Sequence, residues 1–87
     1  MALPKGRKDL DQREMGGEGL LFDPHTNKVH LLNKTALSVW KGLDGETALE
    51  DLSEKIRREF APPQDLDLER DILETIEKFR GLGLLEE

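Results

Sequence analysis

The chain contains no cysteine among its 87 residues, so no disulfide staples it and no thiolate is available as nucleophile or metal ligand. It also lacks any apolar run approaching the roughly 20 residues that cross a bilayer, and no signal-peptide core is present. These absences predict a cytoplasmic module with no membrane partner. A chain of this length forms one domain at most and buries only about 60–65% of its unfolded surface. Its stability must come from a single apolar core, which 36% hydrophobic residues just supply.

A basic stripe is missing too. The net charge is −6, and residues 44–87 hold 14 acidic against 6 basic side chains, whereas residues 1–43 hold 5 acidic and 7 basic. An acidic second half repels phosphate backbones. Arg57-Arg58 is its one basic pair and reads as a solvated helix face. Nucleic acid is therefore not an expected partner.

Catalytic groups are equally sparse. His25 and His30, with Asp23 nearby, make a poor ligand set for a metal. Ser38 and Ser53 fall in helix bodies with no base implied beside them. Gly16-Gly17-Glu18-Gly19 precedes a strand, whereas an anion cradle needs a helix start, so it reads as a turn. The composition predicts no enzyme, no cofactor and no metal.

What is present is a clear order of elements. Residues 1–10 mix proline, glycine and charge and are expected to form a flexible arm, leaving 11–87 as the domain. Gln12–Met15 reads as a short first strand and Gly19–Asp23 as a second. The turn formers Asp23-Pro24-His25-Thr26-Asn27 lead to Lys28–Leu32, whose alternation puts Val29 and Leu31 opposite His30 and Leu32. The first helix runs from Lys34 to about Leu43 with Asn33 as N-cap, and Ala36, Val39, Trp40 and Leu43 face inward. Thr47-Ala48-Leu49-Glu50 reads as a capping box opening the second helix, which Pro62-Pro63 breaks. The third begins after Asp65 or Asp67 and ends near Arg80. Gly81 and Gly83 then provide cap positions, and Leu82, Leu84 and Leu85 fold back on the core.

The third helix carries more apolar surface than its core stripe needs. At 100° per residue, Leu68, Phe79, Ile72 and Ile76 span roughly 80°, and Leu73 lies roughly 60° beyond Ile76 with Arg80 between them. Either this is a wide core stripe, or Leu73, Ile76 and Arg80 line a groove open to a partner. If Lys28–Leu32 is the last strand before the helices, it lies at a sheet edge, which is either protected or used for pairing.

A strand hairpin, then Leu32-Asn33-x-Thr35-Ala36-x-x-Val39-Trp40, then Asp44-Gly45, then Thr47-x-x-Glu50-x-Leu52, then a third helix ending in Gly83-Leu84-Leu85, resembles the pyrroloquinoline quinone biosynthesis protein D (PqqD) family. The likeness covers Gly19 to Leu85. It implies an α+β fold, a three-stranded antiparallel sheet followed by three helices, similar to a winged helix-turn-helix. It implies a non-catalytic module that binds the leader of a ribosomally made precursor peptide and presents it to a modifying enzyme, often a radical S-adenosylmethionine enzyme. Carried onto this chain, the leader adds as a strand to Lys28, Val29, His30, Leu31 and Leu32, and lies against Leu73, Ile76 and Arg80. The alternatives are a winged-helix nucleic-acid binder and a regulatory adaptor that dimerises through the same edge.

Overall fold

A computed structural model describes residues 3–63 and 65–86. Three antiparallel strands, β1 (Asp11–Met15), β2 (Glu18–Asp23) and β3 (Lys28–Leu32), lie in the order β1-β2-β3. Three helices follow: α1 (Lys34–Lys41), α2 (Leu49–Phe60) and α3 (Leu68–Gly81). The expected α+β fold is what forms. Gly16 and Gly17 both take positive φ, 62° and 87°, which is the primed turn that matches strand twist in a two-residue hairpin. Register pairs Leu21 with Gln12 on one side and with His30 on the other.

One face of the sheet supports the helices. Leu21 and Leu32 are buried there, beside Leu37, Val39 and Trp40 of α1 and Ile72, Ile76 and Phe79 of α3. The Trp40 ring meets Phe79 edge to face, with centroids 5.5 Å apart, a favourable aromatic geometry. Its indole Nε1 donates to Gln12 Oε1 at 3.2 Å, and Lys41 Nζ reaches Glu14 at 2.8 Å. These polar side chains hold the exposed strand β1 against α1.

The helix ends follow local chemistry with one exception. Asn33 caps α1 by accepting from the Ala36 amide, and Asp67 caps α3 by accepting from the Arg70 amide. At the end of α3, the Leu84 amide donates to the Phe79 carbonyl and Gly83 to Arg80. With Gly83 left-handed at φ 74°, this is a Schellman ending that drops Leu84 into the core. The exception is the capping box at α2. There Ala48 is the N-cap and makes no side-chain cap bond. Asp44 has taken the Thr47 hydroxyl at 3.0 Å, and also accepts from the Glu46 and Thr47 amides. The helix opens at Leu49, one residue later than a Thr47 cap requires, and the Thr47 hydroxyl donates outward to a charged acceptor instead.

Residues 3–10 are not the flexible arm that their composition suggested. Leu3 is buried in the core. The Gly6 amide donates to the Leu43 carbonyl and Arg7 to Leu84, while the Glu86 amide donates to Lys5. The Arg7 guanidinium bonds Asp23 at 2.9 Å, Asp9 at 2.7 Å and the Gly83 carbonyl at 2.9 Å. One side chain thus joins the arm, the β2–β3 turn and the chain's end. Mixed composition hid this because each partner lies far away in sequence.

Asp23 is buried, and hydrogen bonding to Arg7 holds its carboxyl down to about 2, helped by the His25 amide. A depressed folded-state pKa contributes stability that is present above the carboxylate's ordinary value near 3.8 and is lost as pH falls toward about 2. The melting temperature should therefore drop between those limits, and Arg7→Ala should be less stable at neutral pH with a shallower acid dependence. Circular dichroism melts from pH 2 to 7 check this.

Candidate functional site

Among the described residues the sheet ends at β3, so that strand pairs with β2 along one edge only. Its other edge faces α3 across a cleft of about 420 Å³. Asn33 fixes the geometry: the chain turns from strand into helix at a single capping residue, so α1 starts immediately at the cleft's floor. Leu31, Leu32, Thr35 and Ala36 line the β3–α1 side. Asp71, Glu74, Thr75, Lys78, Phe79 and Leu82 line the α3 side.

The predicted alternation along β3 is present. Leu32 is buried and His30 half-buried on the helix side, whereas Val29 is 53% and Leu31 79% exposed on the other. Across the ladder Leu31 opposes Leu20, which opposes Arg13, and Val29 opposes Phe22. With Met15 at 81% exposure, the outer face of the sheet is unusually apolar. Lys28 is exposed at the far end of the strand. His25 lies off the edge, its Nε2 2.9 Å from Asp9.

None of the α3 residues expected to face the partner, Leu73, Ile76 and Arg80, lines this cleft. Ile76 is 2% exposed and belongs to the core. Leu73 and Arg80 lie roughly 160° around the helix from Thr75 and Lys78, on the flank away from β3, where Arg80 pairs with Glu77. The residues that do line the cleft are mostly polar, so apolar periodicity gave no sign of them. Two of the α3-side residues are apolar, the core residue Phe79 and Leu82. Leu82 is 53% exposed at the cleft rather than folded onto the core with Leu84 and Leu85. Its place one residue before the left-handed Gly83 was the available signal.

Among the described residues no three His, Asp or Glu side chains are grouped to hold a metal ion, and no helix is long and apolar enough to cross a membrane. What the cleft offers is an unpaired strand edge, a polar helix face and apolar side chains on both sides of the sheet.

No curated protein matches the sequence. Among solved structures, TbiB1 in complex with the TbiA(beta) leader peptide is similar, with a TM-score of 0.79 over 94% of each chain at 20% identity. At that identity the likeness is one of fold. The family model for Coenzyme PQQ synthesis protein D (PqqD) matches residues 18–85, from the start of β2 through the strands, caps and Schellman ending described above. That match spans most of the sequence and leaves out only residues 1–17 and the last two, so the chain belongs to the PqqD family.

Proposed function

We propose that this chain is a non-catalytic peptide-binding module of the cytoplasm, which takes the leader of a ribosomally made precursor peptide as a fourth strand on β3 and presents it to a modifying enzyme. The observation that carries this reading is the open β3 edge beside the α3 cleft. Backbone bonds along an edge give affinity for an extended peptide, and flanking pockets choose among side chains. Family membership supports it, as does the shared fold with TbiB1, which was solved with a leader peptide. A radical S-adenosylmethionine enzyme is the partner that the family resemblance favours. The helices argue against a nucleic-acid role: α2 and α3 each carry four acidic and three basic side chains.

On the strand-addition reading, the cleft's lining supports a different set of helix contacts. Lys28 to Leu32 remain the pairing edge, while Glu74, Thr75, Lys78 and Leu82 replace Leu73, Ile76 and Arg80 on the helix. An amide NMR titration with a precursor leader encoded beside the gene, and duplex DNA as control, tests the reading. Shifts should concentrate on Lys28–Leu32 and on residues 74–82. A response to DNA alone would reduce the family likeness to one of fold. On the same assay Leu73→Glu should leave the affinity within about twofold, as expected of an exposed residue outside the contact, whereas Thr75→Glu should weaken it clearly. Equal loss in both variants would mean that the peptide wraps the other flank of α3.

A further inference from the structure

The β3–α3 cleft does not end at the first turn of α3. Thr35, Asp71 and Thr75 line it and also line a second cavity of about 230 Å³ set between α1, α2 and α3. The walls of this cavity are Val39, Ile56, Phe60, Leu66 and Ile72. A cavity of roughly 150 Å³ holds a benzene ring, so this one has room for a large aliphatic or aromatic side chain. Phe60 and Leu66 stand at its rim 38% and 37% exposed. The bend that shapes it is local: Ala61 ends α2 in a left-handed conformation at φ 43°, and Pro62-Pro63 cannot continue the helix.

Charge indicates what occupies it. The Asp71 carboxylate stands where the two cavities meet and has no hydrogen-bond or ion-pair partner among the described residues, while Glu74 beside it is paired with Arg70. Lys78, further along the same helix face, is likewise without an ion-pair partner among the described residues. The two are seven residues apart, about 10 Å along the helix axis at about 1.5 Å per residue. An extended peptide advances about 3.3 Å per residue, so it would meet them with side chains roughly two to four positions apart.

We propose that this cavity is a second subsite for the same extended peptide, taking one large apolar side chain, with a basic residue of the peptide beside Asp71 and an acidic one beside Lys78. The proposal rests on the strand-addition reading and adds to it a sequence preference: acid, a short spacer, base, then an apolar anchor just beyond the base. A strand that follows β3 toward Leu32 is led past Thr35 to the cavity mouth, so the continuity of the two cavities fixes the order of these features. It leaves the peptide's direction open.

The test is to pan a displayed library of random dodecapeptides on the full chain, then on Leu66→Glu and Asp71→Lys. Enriched peptides should carry the apolar anchor beside a Lys or Arg and should shift the amides of Leu66, Ile72 and Thr75 together with those of Lys28–Leu32. Replacing the anchor by alanine should cost about tenfold in affinity, the value of burying one such side chain, and far less in Leu66→Glu. Asp71→Lys, an exposed change on the helix surface, should turn the preferred base into an acid. Enriched peptides that shift Lys28–Leu32 but leave Leu66, Ile72 and Thr75 unmoved overturn the subsite and keep the strand. Enrichment without any response at β3, or no enrichment at all, overturns the strand reading and the subsite with it.

Discussion

Proline at one of two neighbouring positions in β3 should weaken peptide binding by about one to two orders of magnitude in a folded protein, while proline at the other should chiefly destabilise the fold. Along an antiparallel strand, successive residues turn their N–H and C=O groups alternately to the two sides. Of His30 and Leu31, one therefore bonds β2 and the other faces the open edge. Hydrogen exchange on the free protein identifies the outward amide as the faster of the two, and added peptide should slow it. Proline there removes a donor that no protein group uses, which an edge strand tolerates. It also leaves a peptide carbonyl unpaired, at a cost of about 1–3 kcal/mol, or roughly 5- to 150-fold in affinity. Proline at the inward position breaks a ladder bond to β2 and should lower the melting temperature. Undiminished affinity with proline at the outward position, in a protein that still melts cooperatively, would rule out strand addition at β3.

How far this site was legible before the fold was known depends on the range of the interactions involved. Asn33 as a cap, a start of α3 after Asp65 or Asp67, a glycine stop at Gly81 or Gly83 and the alternation of Val29 and Leu31 were readable because each is decided within a few residues. The four-residue core stripe of α3 was readable for the same reason, and Leu68, Ile72, Ile76 and Phe79 are all buried. Which flank of that stripe faces β3 was not. A helical wheel treats both sides alike, and Leu73 drew attention to the apolar flank although the cleft is lined by the polar one. The capping box at α2 failed because the helix opens one residue later, with Ala48 as N-cap, while Thr47 belongs to the turn that Asp44 organises. The second cavity depends on α1, α2 and α3 meeting, which no local pattern encodes.

The largest loss of stability outside the helical core should come from the first ten residues, and Gly6→Val tests it. A Cβ at Gly6 would lie 2.6 Å from Cη2 and 2.9 Å from Cζ2 of Trp40. The indole cannot yield easily, because Nε1 is bonded to Gln12 and the ring meets Phe79 edge to face. The arm must therefore lift, taking with it the Gly6 bond to Leu43, the Arg7 bond to Leu84 and the cover that Leu3 gives the core. Overpacking of this kind typically costs about 1–3 kcal/mol, and each kcal/mol shifts the melting point of a domain this small by about 4–8 °C. A fall of roughly 10 °C is expected, with a red-shifted emission from Trp40, the sole tryptophan. Gly81→Ala is the control: nothing lies within 4 Å of its Cβ position, and helical alanine is preferred over glycine, so its melting point should hold or rise. Since the arm packs on Trp40, Leu43 and the chain's end rather than on β3, Gly6→Val should bind peptide with unchanged affinity below its lowered melting point. An unshifted melting point and emission would mean that residues 3–10 are a loose arm after all. A loss of affinity in the folded variant would instead make the arm part of the peptide site.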